Sequence, residues 1–194
     1  GACSALEQQN VPLEPQSRKE LVESIDEEAQ WLLRMVENLL SVTRVGECAP
    51  ELNKSLEPVE EVLAEAIRRA QARFPGARFC LSLPEAFLMV PMDPMLIVQV
   101  LMNLLENAVK FAGSRARIDI DVAELPSAVR FTVRDYGEGL SERAIGTLFQ
   151  PSAGRSGDSA HGMGLGLSIC RSVIAAHGGT IEARSAGKDR GATF

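Results

Sequence analysis

The apolar residues of the first fifty positions follow a seven-residue repeat. Ile25, Leu32 and Leu39 form one row, and the d-like row between them holds Leu21, Met35 and Val42, with Glu28 as its polar break. Such a seam is typical of coiled coils and helical bundles. We therefore expect a long helix over about 17–45, opened by a capping box at Ser17 and Glu20, that forms a dimerising helical hairpin. A long helix packed on its own domain is the alternative.

The rest of the chain alternates between helical and strand-like patterns. The predicted elements are a helix from Pro58 to Phe74, strands at 78–83 and 88–92, a helix opened by Asp93 and Pro94, strands at 115–123 and 129–133, a short helix from Ser141 to Phe149, a mobile loop at 151–162, a helix at 165–177, and strands at 180–183 and the final residues. This order predicts an α+β, two-layer α/β sandwich, a mixed sheet covered by about three helices. The expected domains are 1–46 (partial helical hairpin), 47–56 (linker) and 57–194.

Composition excludes several classes of protein. The chain has 194 residues and a net charge of −6, which argues against broad nucleic-acid binding. Its four cysteines have no metal-binding spacing and predict reduced thiols in a cytosolic setting. No apolar run reaches the roughly 18 residues that span a bilayer. Both ends of the sequence fall within expected elements, so we expect a fragment of something longer, with the last strand truncated.

The segment 99–111 predicts a helix with two unlike faces. Asn103, Asn107 and Lys110 fall on one side, and the opposite side is apolar, with Leu101, Leu104, Leu105 and Ala108. Amide oxygen suits Mg²⁺, and an ammonium group suits a phosphate. The polar face is therefore a candidate site for a metal and an anion. A solvated polar stripe is the alternative.

Two glycine-rich stretches add to this candidate site. Asp135 directly follows a predicted strand, and Gly137 and Gly139 allow a tight turn and the close approach of a planar ring such as adenine. The run Gly162–Leu167 opens a predicted helix whose free amides suit an anion. A Rossmann loop is the competing interpretation, but it requires a strand immediately before the glycines.

In this order the motifs resemble those of a sensor histidine kinase of a two-component system. The matching stretches are 103–111 (N box), 135–139 (G1 box), 149–151 (F box), 162–167 (G2 box) and 191–194 (a final glycine–threonine box). The likeness covers nearly all of 57–194, and its wording is nearest to KdpD-type potassium sensor kinases. It implies the Bergerat-type ATP-binding fold shared with gyrase, Hsp90 and MutL. Residues 32–44 resemble the second helix of a dimerisation domain.

The resemblance implies a role for each matching position, with ATP and Mg²⁺ as the cofactors. Asn107 would hold Mg²⁺ beside Asn103, Lys110 would meet the phosphates, and Asp135 would bind the adenine amine. The remaining ATP-binding positions are Gly137, Gly139, Phe149, Gly162, Gly164, Leu165, Gly166 and Thr193. From the residues themselves, Arg155 could reach the γ-phosphate, or be a solvated loop charge. Glu106 could assist proton handling, or be a helix-surface acid.

The sequence departs from the family pattern at the acceptor histidine. His161 precedes a glycine in the predicted lid, and His177 precedes Gly178 and Gly179 at a helix end, so neither has the acceptor setting. We therefore expect a catalytic core that transfers the γ-phosphoryl group to an upstream histidine and cannot autophosphorylate alone. The implied partners are a second copy, through the N-terminal helices, and a response regulator, in the cytosolic portion of a bacterial inner-membrane sensor kinase. The alternatives are a pseudokinase scaffold, and an ATPase or serine kinase of the same fold.

Overall fold

The computed structural model describes residues 52–150 and 166–194. The predicted long helix, the mobile loop and most of the G2 box therefore lie outside the described residues. Arg155, Gly162, Gly164 and Leu165 are among the candidate residues that remain predictions for this reason.

Nine elements follow one another in the described part of the chain. They are β1 (Ser55–Pro58), α1 (Val59–Arg73), β2 (Arg78–Ser82), β3 (Met89–Met92), α2 (Pro94–Ala112), β4 (Arg117–Leu125), β5 (Ala128–Arg134), α3 (Glu142–Thr147) and α4 (Gly166–Ala176). The order of helices and strands agrees with the sequence prediction apart from β1 and the C-terminal segment.

The three-stranded sheet has the order β2-β4-β5 and is mixed, as predicted. β2 runs parallel to β4, and β4 runs antiparallel to β5 through a two-residue turn at Pro126 and Ser127. Alternate residues of β4 are buried beneath the helices, and in β5 the alternate residues Val129 and Phe131 are partly buried and Val133 is fully buried. The buried set is Ile118, Ile120, Val122 and Val133.

Helix α2 forms the centre of the core. Asp93 caps it by accepting a hydrogen bond from the Leu96 N–H at 3.2 Å, and Pro94 occupies the first turn, where its fixed φ suits a helix start. The helix packs between α1 and α4 and over β4 and β5. α2 is long and apolar enough to span a bilayer by length and composition alone. Its apolar face is nevertheless buried in the domain, so it serves here as a core helix.

Two local predictions were wrong. The sequence predicts no strand before Val59, yet β1 pairs antiparallel with β3, with Leu56 opposite Pro91. Four residues carry too short a pattern to reveal a partner that lies beyond the whole of α1. At the C-terminus, neither the strand predicted at 180–183 nor the one predicted for the final residues forms, and Thr193 instead makes isolated bridges with Arg184 and Arg134.

Candidate nucleotide site

The two faces of α2 divide as the sequence predicts. The apolar set is buried, whereas Asn103 and Asn107 are half-buried and Lys110 is exposed. The Lys110 ammonium lies 5.5 Å from the centroid of the Phe111 ring, where the ring face favours a cation. The structure therefore places two amides and one cation along one side of the central helix.

Asn103 faces the start of α4. A β-carbon built on Gly166 would lie 3.7 Å from the Asn103 Oδ1 atom, so the first residue of α4 packs directly on this amide. The Asn103 Nδ2 atom is buried and has no hydrogen-bond acceptor among the described residues. A buried donor without an acceptor destabilises a fold by about 1–3 kcal/mol, so this amide is suited to receive a ligand oxygen.

Cys170 lies on the next turn of α4 and contacts the same amide. Burial raises the pKa of its thiol to about 12, and the nearby Asn103 side chain opposes that shift. The thiol points to the Val100 carbonyl, with 3.8 Å between sulfur and oxygen. This contact does not give Asn103 Nδ2 a hydrogen-bond acceptor within the described residues.

Asp135 is the one charged side chain buried within the described ranges, at 3% exposure. Its Oδ1 atom accepts hydrogen bonds from the Gly137 N–H at 2.9 Å and the Ala192 N–H at 3.1 Å. No N–H or O–H group of the described residues donates to Oδ2. Among the described residues, Asn103 Nδ2 alone is a fully buried polar side-chain atom without a partner, so Oδ2 of Asp135 still reaches the surface. Oδ2 is therefore open to an amine donated by a ligand.

The glycines after Asp135 are required by the packing of the protein's own backbone. A β-carbon at Gly137 would lie 2.2 Å from the Phe111 carbonyl oxygen at the end of α2. Gly139 has φ +70°, and a β-carbon there would lie 2.1 Å from the Gly187 oxygen. The sequence predicts these glycines for a tight turn and for the approach of a ligand ring, and the close packing of the backbone is a further reason for them.

The segment that covers this turn was not predicted from the sequence, apart from Gly191 at its end. Residues 185–191, here called the return loop, pack on residues 135–140, here called the G1 loop. The Gly191 N–H donates to the Gly137 oxygen at 3.0 Å, and the Leu140 N–H donates to Ser185 Oγ at 3.0 Å. The spacing of the glycines in the return loop was the feature of the sequence that could have predicted a tight loop here. Thr193, a predicted nucleotide contact, pairs through its backbone with Arg184.

Glu106 lies on α2 beside the amide face but forms an ion pair with Arg73 of α1. This charge-assisted hydrogen bond connects the two helices directly. The structure therefore favours a role in joining α1 to α2. Phe149, the predicted start of the lid, is half-buried just beyond α3.

Comparison with known proteins identifies the family. A family model described as histidine kinase-, DNA gyrase B-, and HSP90-like ATPase matches residues 92–194. The chain is 40% identical to the sensor protein KdpD of Clostridium acetobutylicum over 197 residues, covering 100% of this chain and 22% of that protein. It is also 40% identical to the sensor protein KdpD of Escherichia coli (strain K12) over 153 residues, covering 77% and 17%.

A solved structure shows the same fold. The crystal structure of full-length ShkA in complex with AMPPNP has a TM-score of 0.75 and 26% identity, and the alignment covers 95% of this chain and 39% of that chain. The chain thus spans about a fifth of the length of the two curated relatives. The likeness to KdpD agrees with the resemblance found in the sequence motifs.

Proposed function

Because the chain belongs to the family of histidine kinase-, DNA gyrase B- and HSP90-like ATPases, we propose that it binds Mg-ATP as the catalytic core of a sensor histidine kinase. The observation that carries this proposal is Asp135, a buried carboxylate with one oxygen paired to backbone N–H groups and the other without a donor in the described ranges. That arrangement suits the exocyclic amine of adenine. The relatives named KdpD and the structure of ShkA with AMPPNP support it.

The polar face of α2 fits magnesium and phosphate. Within residues 52–150 and 166–194, no group of three His, Cys, Asp or Glu side chains could hold a metal ion. Mg²⁺ would instead be held by the Asn107 amide oxygen together with phosphate oxygens, since this hard cation commonly keeps few protein ligands. The unpaired Asn103 amide would donate to a phosphate oxygen near the start of α4, and Lys110 would contribute a positive charge.

Each part of the site has one task in the proposed reaction. Asp135 orients the base, and the α2 amides with Lys110 fix the phosphates, so the γ-phosphoryl group is presented in one direction. Attack by a histidine nitrogen would form the new P–N bond as the bond to the β–γ bridging oxygen breaks and ADP departs. The accepting histidine would lie on a helix upstream of this sequence.

The partners follow from the same proposal. Residues 17–45 would pair with a second copy, and a response regulator would receive the phosphoryl group on an aspartate. The chain would lie on the cytosolic side of the membrane in the longer protein. The heptad pattern of 17–45 and the family motifs are the support for these partners.

Incubation with Mg-ATP labelled at the γ-phosphate tests the proposed reaction. We expect no acid-labile phosphohistidine on this chain, because neither His161 nor His177 has the acceptor setting. Mixing the chain with a version extended upstream to include the acceptor helix should label the extended version. Steady release of free phosphate without histidine labelling would favour an ATPase, and failure to bind Mg-nucleotide would favour a scaffold.

A further inference from the structure

The return loop is fastened to the G1 loop along its whole length. The Asp189 N–H donates to the Glu138 oxygen at 2.7 Å, and the Gly191 N–H donates to the Gly137 oxygen at 3.0 Å. Beyond the loop, the Asp135 N–H donates to the Ala192 oxygen at 2.9 Å. The backbone of the G1 loop is therefore hydrogen-bonded to a segment that begins some fifty residues later in the sequence.

Ser185 is the hub of this contact. Its Oγ atom accepts from the Leu140 N–H at 3.0 Å and the Gly187 N–H at 3.2 Å, and it lies 2.6 Å from the Gly191 oxygen. A hydroxyl has one proton and two lone pairs. We assign the proton to the shortest contact, the Gly191 carbonyl. One side chain thus joins the start of the return loop, its end and the G1 loop.

The backbone of the return loop depends on such contacts. Gly187, Asp189 and Gly191 all have positive φ, at 109°, 58° and 68°. Asp189 is the one non-glycine residue with positive φ in the described ranges. Conformations of this kind persist where the surrounding contacts hold them, and they concentrate at ligand-binding turns.

We propose that Ser185 is a positioning residue for base recognition, acting on Asp135 through the return loop. By holding Gly191 in place, it keeps the adjoining Ala192 N–H on Asp135 Oδ1, and this directs Oδ2 toward the exocyclic amine of the base. The inference rests on the proposed function and extends it from ATP binding to selection of adenine.

Hypoxanthine provides the discriminating probe. Inosine diphosphate (IDP) carries a carbonyl oxygen where adenosine diphosphate (ADP) carries the amine. A correctly placed carboxylate therefore accepts a hydrogen bond from adenine and repels the carbonyl oxygen of hypoxanthine. If Asp135 is displaced, the affinity for ADP falls. The affinity for IDP changes little, because IDP binds through its phosphate contacts. General damage to the fold lowers both affinities by the same factor.

The test is calorimetric titration of the whole chain with Mg-ADP and with Mg-IDP. We expect Ser185→Ala to weaken ADP binding by about tenfold and IDP binding by about twofold or less, as expected for one lost hydrogen-bonding hub. Ser185→Thr, which restores a hydroxyl, should recover most of the ADP preference. Ser82→Ala, on an exposed position of β2, should match the parent.

Each outcome decides a different point. If Ser185→Ala lowers the affinities for ADP and IDP by the same factor, so that their ratio is unchanged, the positioning role is overturned. If circular dichroism shows that Ser185→Ala is unfolded, a folded Ser185→Cys variant replaces it and is compared with Ser185→Thr. An ADP-to-IDP affinity ratio in Ser185→Cys equal to that in Ser185→Thr would also reject the positioning role. Absence of Mg-ADP binding in the parent would reject the proposed function and this inference with it.

Discussion

The backbone N–H of Asp93 donates a hydrogen bond to Nε2 of His177 across 3.0 Å. This contact joins the residue that caps α2 to the residue that follows α4. Because Nε2 accepts, the ring proton lies on Nδ1, which is 2.8 Å from the Val173 oxygen and donates to it. His177 thus links two helices that border the candidate site, a structural role that its position before two glycines did not suggest.

Replacing His177 should loosen this link. We expect His177→Ala to lower the free energy of unfolding by about 1–2 kcal/mol, because the Asp93 N–H loses its acceptor. Urea denaturation measures the change. Arg171→Ala, at an exposed position of the same helix, is the control and should lie within about 0.5 kcal/mol of the parent. Equal stability of the two variants would show that the link contributes nothing.

Gly191 has no room for a side chain. A β-carbon there would lie 2.1 Å from the Asp135 carbonyl oxygen, and φ is +68°. We expect Gly191→Ala to displace the return loop and to weaken Mg-ADP binding by at least about tenfold, measured by calorimetry.

Gly146 is the matched control for this substitution. It lies in α3 with no atom within 4 Å of a built β-carbon, and its φ is not in the positive range. Gly146→Ala should keep full affinity and gain about 0.5–1 kcal/mol of stability from helix propensity. Retention of Mg-ADP affinity by Gly191→Ala would contradict the account of this packing.

The Cys170 thiol should be unreactive in the folded protein. Burial raises its pKa from 9.0 to about 12, so the neutral thiol is favoured on folding. Its contribution to stability is complete below pH 9 and falls as the pH rises toward 12. At pH 8 we expect iodoacetamide to modify the half-exposed Cys80 well before Cys170. Peptide mass spectrometry measures both rates, and comparable rates would contradict the burial argument.

The Arg73–Glu106 ion pair predicts a structural role for Glu106. We expect Glu106→Gln to lower stability by about 1 kcal/mol and to change Mg-ADP affinity by less than about threefold. Arg73→Gln should have the same effect on stability, and the double variant should cost little more than either alone. Unchanged stability with loss of phosphoryl transfer in a competent, longer chain would favour proton handling by Glu106.

Local patterns predicted the parts of the fold that local forces determine. The two faces of α2, its cap at Asp93 and the alternation of β4 and β5 all follow from residues a few positions apart, and each is found. β1 was missed because a four-residue strand owes its existence to β3, a partner beyond α1. The strand predicted at 180–183 does not form, and the chain pairs there only through the bridge of Arg184 with Thr193.

In the candidate site, too, some residues could be predicted from local motifs and others could not. Asp135, Asn103 and Gly166 could be predicted as site residues because each lies in a motif, and the structure brings Gly166 against Asn103. Ser185 was not predicted, because it forms its hydrogen bond with Leu140, a residue far away in the sequence. Such hubs have no local signature, since one serine in a turn is compatible with many arrangements.

The most direct test of the central claim is calorimetric titration of this chain with Mg-ADP, beside Asp135→Asn. We expect the parent to bind, and the variant to bind about ten- to a hundredfold more weakly, because an amide donor would face the adenine amine where a charged acceptor is needed. Asp121→Asn, an exposed position of β4, removes the same charge and should bind as the parent does. No binding in the parent, or full binding in Asp135→Asn, would contradict the account.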